Sequence, residues 1–329
     1  ESLMMGLPDQ SGPQAWDGMV ARGAEWLARA RLAEAPEPAH RMPPARRPAP
    51  RPPVESRPKE LPVTDITTLI RDPYAIYAKR ILRLRRLEPI VQSPDGRLRG
   101  IVLHEIMERF IKERSGPEQI GAALGRLRGI ARAVIDAQVP WPGARILYMA
   151  KLDRIAGGFL IDEARRAAAG RALVIEDRGE IGLDRVDFTL TARPDRIDLL
   201  ADGRVHIYDY KSGQFPSFKQ QEHFDKQLRL EAAMAERGAF EALGKAKVAG
   251  ATHIALGSGA GEHSARLTPE IIEASWDGLL RLIATYMRRE TGYTARRAVF
   301  EARIAGDYDH LARAGEWEMS DPSAPEDVG

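Results

Sequence analysis

The spacing of apolar residues changes several times along the chain. Over residues 14–33 (QAWDGMVARGAEWLARARLA) it is helical and puts Trp16, Met19, Val20, Trp26, Leu27 and Ala30 on one stripe, with Gly23 as a weak point. From 34 to 62 the pattern is lost. Ten of the 23 prolines fall here among arginines, and proline at that density opposes both helix and sheet, so an extended linker is expected. Helical spacing returns in DITTLI, with Thr64 or Asp65 as the expected cap, and breaks at Asp72–Pro73 before a second helix. After a turn at SPDG (93–96), GIVLHEIMERFIKER (100–114) carries Leu103, Ile106, Met107 and Phe110 on its apolar stripe. Two further helical stretches fill 117–138 and about 143–169. The period then shortens to two. ALVIEDRGEIGL (172–183), FTLTARPDRIDLL (188–200) and RVHIYDYK (204–211) read as three successive strands. A helix over 216–240, a fourth strand over 248–257 and a long helix over 268–290 follow. The order helix, three strands, helix, strand predicts an α/β core with one sheet between helices.

Four segments are expected. Residues 1–33 form the helical end of an upstream domain, and 34–62 a Pro/Arg-rich linker. Residues 63–320 form the main domain, and 321–329 a flexible tail. The chain starts at Glu1, as a piece of a longer polypeptide would.

Composition narrows the chemistry. At 43% hydrophobic and 29% charged residues the chain is an ordinary globular one. It has no cysteine, which excludes disulfides, zinc–cysteine sites and cysteine-held iron–sulfur clusters. No apolar run approaches the roughly 20 residues of a membrane span, and no signal-peptide pattern is present, which fits a cytoplasmic protein. The net charge of +2 says little, but Lys79, Arg80, Arg83, Arg85 and Arg86 crowd one stretch, with Arg97 and Arg99 soon after. That cluster reads either as a solvated helix face or as a patch for phosphates. GSGAG (257–261) lacks the Gly-Lys-Ser/Thr of a phosphate loop, no Gly-x-Ser-x-Gly elbow is present, and His253 and His263 lack ligand spacing.

The informative stretch is RPDRIDLLADGRVHIYDYKSG (193–213), two strands about the turn Ala201-Asp202-Gly203. With the turn centred on Asp202, Asp195 lies opposite Asp209, and both share a face with Lys211. Carboxylates so opposed repel by roughly 3 kcal/mol at an effective dielectric of 20. Either Lys211 offsets the repulsion at an ordinary charged edge, or a hard divalent ion does. Candidate companions are His104 and Glu108, at i,i+4 on the helix before the sheet, and Gln227 on the helix after it.

Taken in order, Pro194-Asp195, the later Asp209-Tyr210-Lys211, the Gly-x-x-x-His phrase of GIVLHEIMERF and the glutamine of DKQLRLEAAM resemble the PD-(D/E)XK nuclease superfamily in its RecB-like branch. Within it, LIRDPYAIYAKRILRL, RALVIEDRGEI, ARPDRIDLL, YDYKSGQ and QLRLEAAM resemble C-terminal nuclease domains of the AddB family, alphaproteobacterial type. The resemblance implies a restriction-endonuclease-like αβββαβ core, with a mixed central sheet and extra helices at both ends. It implies a Mg²⁺-dependent exonuclease on single strands, with Mn²⁺ able to substitute. Such an enzyme would serve in a helicase–nuclease complex of double-strand break repair and recombination, with DNA and an AddA-like helicase–nuclease subunit as partners.

Carried onto this chain, Asp195, Asp209, Lys211 and Gln227 are the expected catalytic set. His104, Asp195, Asp209 and the Tyr210 carbonyl would hold the metal, with Glu108 as an accessory acid. Lys79, Arg80, Arg83 and Arg86 would contact nucleic-acid phosphates. Two departures stand out. Asp72-Pro73-Tyr74 occupies the place of the Cys-Pro-aromatic phrase that begins the family's iron–sulfur site, so no such cluster is expected and helix 73–87 must hold that region. Glu231 stands where relatives carry tyrosine. The alternative is a catalytically idle nuclease fold acting as a DNA-binding scaffold of a helicase complex.

Overall fold

The computed structural model describes residues 12–329 apart from 36, 38, 39, 41, 87–89, 92, 184, 185, 258–260 and 299–304. Residues 1–11 of the first expected segment and the middle of GSGAG lie outside the described residues. The chain forms two units, Glu1–Ala45 and Arg46–Gly329. The first contains helix α1 (Pro13–Glu34), whose stripe residues Met19, Val20, Trp26 and Leu27 are exposed.

The hairpin of the second unit adopts the register that its turn dictates. Strand β6 (Arg196–Leu200) pairs antiparallel with β7 (Val205–Lys211), Arg196 opposite Tyr208 and Leu199 opposite Val205. Gly203 takes the left-handed conformation, φ +80°, that so short a loop requires. Around this hairpin a five-stranded mixed sheet forms in the order β3-β6-β7-β8-β9, with β3 Gly170–Val174, β8 Val248–Ala255 and β9 Glu262–Ser264. Only β7 and β8 run parallel, and a helical crossover between them is therefore required.

Alternation along β7 separates two cores. Val205 and Ile207 face one, built with α2 (Val63–Arg71), α8 (Gln227–Arg237) and α9 (Pro269–Tyr286). Tyr208 and Tyr210 face the other, filled by α4 (Gly96–Lys112), α5 (Ile120–Gln138) and α6 (Pro142–Ala169). The remaining helices are α3 (Pro73–Ile76), which runs on as a π-helical turn over Tyr77–Ile81, and α7 (Phe218–His223). On the second face Arg196, buried in the sheet, forks onto Asp198 at 2.5 and 2.6 Å and reaches Glu163 of α6 at 2.7 Å.

The αβββαβ order is the one expected, with local corrections. Each of the first two expected strands is divided. Residues 172–183 split into β3 and β4 (Gly179–Leu183), and residues 188–200 into β5 (Phe188–Ala192) and β6. The outer pieces β4 and β5 leave the main sheet and join β2 (Glu60–Pro62) in a three-stranded one. The helix expected over 216–240 breaks between α7 and α8. Asp65 does not cap α2 but lies buried within it.

The larger correction concerns the expected linker and tail. Strand β1 (Pro48–Arg51) pairs in parallel with β10 (Ala324–Asp327). Pro48 and Pro50 lack amide donors, yet their carbonyls accept from Ala295 and Tyr293 at 3.0 and 2.9 Å. The arginines are carbonyl hubs. Arg47 donates to Ala295, Arg296, Met319 and Asp321, and Arg57 to Pro52 and to Tyr286, Arg288 and Arg289 at the end of α9. Pairing with distant chain, which composition does not reveal, turns a proline-rich stretch into structure.

Candidate active site

The break between β5 and β6 places Asp195 at one end of the main sheet. Its Oδ2 accepts the Tyr210 N–H at 2.6 Å, and its Oδ1 lies 3.2 Å from His104 Nδ1 on α4. Gly100 lies close to the end of β7: a Cβ there would stand 3.3 Å from Ser212 Oγ, a tight contact. Here α4 lies against the end of β7 and brings in His104 one turn later. Burial disfavours the His104 imidazolium, but the hydrogen bond and charge of Asp195 outweigh it and raise its pKa.

Asp209 is buried and surrounded by donors. Lys211 Nζ lies 3.0 Å from Oδ1 and 2.9 Å from Oδ2. Gln227 Nε2 donates to Oδ1 at 3.1 Å, and His253 Nδ1 lies 2.8 Å from Oδ2. Burial raises the Asp209 pKa, yet His253 and Lys211 overcome it and the carboxyl is held low. For Lys211 burial acts to lower the pKa, but Asp209 prevails and keeps the ammonium charged. The opposed aspartates therefore coexist because each has its own donors.

Three functional candidates lie outside the expected catalytic and metal-binding set: Glu176, which the sequence did not single out, and His253 and Glu231, to which it gave no role. Glu176 lies in the gap between β3 and β4, with its amide bonded to the Pro194 carbonyl at 3.0 Å and a left-handed φ of +52°. Burial first, then the Asp195 charge, pushes its carboxyl up to about 7. His104, Glu176 and Asp195 each offer a ligand atom within 4.8 Å of the others, a donor set of two carboxylates and an imidazole that fits a hard divalent cation. His253 pairs with Asp209 across β7 and β8, a contact that spacing along the chain does not reveal. Glu231, fully buried, accepts from Gln227 Nε2 at 3.2 Å, and burial raises its pKa well above the carboxylate range.

An open cleft of about 660 Å³ leads to this cluster, lined by Gly100, His104, Glu108, Glu176 and Arg193 among others. Glu108 pairs with Lys112 at 2.9 Å. The basic stretch lies elsewhere and is partly engaged. Lys79 and Arg80 both hold buried Asp65, and Arg86 lies 3.3 Å from Asp307. Arg83 is exposed. At the position of the iron–sulfur phrase, the Asp72 carboxylate accepts the Arg296 N–H at 2.9 Å and the Tyr74 N–H bonds to the Thr294 carbonyl at 3.4 Å.

Among known proteins, the family model for the PD-(D/E)XK nuclease superfamily matches residues 60–318. An uncharacterised protein of Rickettsia bellii is 28% identical over 180 residues, 54% of this chain and 22% of its own length. A Streptococcus equi subsp. zooepidemicus protein, named as one subunit of an ATP-dependent helicase/deoxyribonuclease, is 29% identical over 167 residues, 47% of this chain and 14% of its own. A Streptococcus mutans protein of the same name is 30% identical over 166 residues, 48% of this chain and 14% of its own. The chain spans only 14–22% of the length of these curated relatives. Among the described residues no helix is long and apolar enough to cross a membrane.

Proposed function

The chain belongs to the PD-(D/E)XK nuclease superfamily, and from that premise we propose that it is a Mg²⁺-dependent deoxyribonuclease that degrades single strands from their ends. Its setting would be a helicase–nuclease complex of double-strand break repair and recombination, with an AddA-like subunit as partner and a cytoplasmic location. The reading rests on one observation: His104, Glu176 and Asp195 cluster beside Asp209, Lys211 and Gln227 at one end of the sheet. The names of the streptococcal relatives support the setting.

His104, Glu176 and Asp195 would hold the metal, joined from β7 by Asp209 and the Tyr210 carbonyl. Bound there, a Mg²⁺ ion lowers the pKa of water and offsets charge on the scissile phosphate. The chain's own groups supply the positioning. Lys211, which lies 2.9–3.0 Å from the Asp209 carboxylate, would orient or help deprotonate the attacking water and could also contact the phosphate. Gln227 and His253 fix the Asp209 carboxylate. Glu231 fixes the Gln227 amide through the second contact of its NH₂ group. Of the basic stretch, Arg83 remains exposed for a phosphate, whereas Lys79 and Arg80 serve Asp65.

The test is cleavage of end-labelled single-stranded DNA with Mg²⁺, with EDTA, and by Lys211→Ala. Cutting that needs Mg²⁺ and falls by at least about a hundredfold in the variant is expected. DNA binding with equal, metal-independent behaviour of both proteins would instead favour the idle scaffold.

A further inference from the structure

A second cleft, of about 250 Å³, opens where the chain leaves β7. It is lined by Arg99 of α4, Lys151 and Arg154 of α6, and the loop Ser212-Gly213-Gln214 that follows Lys211 directly, together with apolar residues such as Tyr148 and Leu152. No carboxylate lines it among the described residues. Asp153, the acid between the two α6 cations, turns to Arg128 at 2.7 Å. Among the described residues the side chains of Arg99, Lys151 and Arg154 have no hydrogen-bond or ion-pair partner. Three uncompensated positive charges facing one concavity raise its potential and attract an anion.

The stretch 79–86 offers the opposite case. Its Lys79, Arg80 and Arg86 are spent on Asp65 and Asp307. The two clefts near the site also adjoin. Gly100 lines the metal-facing one and Arg99 the basic one, and Ser212, beside Lys211, packs against Gly100. The cleft that leads to the His104–Glu176–Asp195 group and the basic one thus meet at the same helix turn.

Resting on the nuclease reading above, we infer that Arg99, Lys151 and Arg154 form the backbone track of the substrate. They hold the phosphodiesters of the strand that flank the one being cut. The contacts are to phosphate, so they carry no base preference.

The test is fluorescence anisotropy of a fluorescein-labelled single-stranded oligonucleotide in EDTA, over a salt series, with the full chain and with Arg99→Gln/Lys151→Gln/Arg154→Gln. Three lost contacts at about 0.7 each should shrink the slope of log K against log salt by about 2, and affinity near 0.1 M salt should fall on the order of tenfold or more. The three single variants, each expected to shrink the slope by about 0.7, serve if the triple one melts early. A triple variant that matches the parent in both affinity and slope overturns the track and leaves the nuclease reading intact. A parent chain that neither binds nor cuts DNA overturns both. A loss of affinity that is the same at every salt concentration also overturns the track, because it is not electrostatic.

Discussion

Glu176 shows what one residue's environment does. A left-handed backbone at a non-glycine position is uncommon, and here it occurs in the gap between two strands, beside Asp195. Below about pH 7 its carboxyl holds a proton, and above it the carboxylate is free to bind a cation. Metal must displace that proton, so apparent affinity should rise with pH through this region, by up to about tenfold per pH unit for each proton released. Calorimetric titration with Mg²⁺ or Mn²⁺ at pH 6 and pH 8 measures it. Glu176→Gln should bind more weakly and with a flatter pH profile, and equal affinities at both pH values in the parent would contradict the assignment. Asp195, Asp209 and Lys211 were legible in the sequence because a short turn fixes the hairpin register. Glu176 was hidden by its place in an apparently continuous strand, although Glu176-Asp177 followed by Gly179 is a weak strand-breaking signal.

At the scale of elements, the sheet and α6 are joined by charge. Arg196 is buried at 2% exposure between Asp198 and Glu163, and Arg166 completes the group from α6 at 2.9 Å from Glu163. Such a network adds little over apolar packing, but removing one partner strands a buried charge. Asp198→Ala should therefore destabilise the fold by about 3–5 kcal/mol, as read by urea denaturation. A loss below about 1 kcal/mol would mean that water reaches the guanidinium. Within the second unit periodicity gave the main helices and the hairpin well, because each buries a face that repeats locally. It missed the divisions of the first two strands, which exist because β5 pairs with β2 from far earlier in the chain and carries β4 on its other edge.

At the scale of the whole second unit, a stretch expected to be a spacer is a fastening. Arg47, 9% exposed, gathers carbonyls of residues 295, 296, 319 and 321, and its burial holds its pKa below the usual arginine value. Arg47→Met should cost on the order of 3 kcal/mol. The amides of Ala324 and Val328 should lose hydrogen-exchange protection before those of β7, and uniform loss across the unit would show that this edge does not open separately. The superfamily was legible at this scale, since the ordered motifs outlast local misreadings, and the match over 60–318 bears it out.

The pairing of β1 with β10 also bears on mechanical load. The two strands run parallel, so a pull at Arg46 and at Gly329 draws them past each other lengthwise. The cross-strand bonds from Ala324 to Arg47 and from Val328 to Arg51 are then strained together, not peeled off one at a time. A pull along this axis therefore meets the seam in the direction where it resists most.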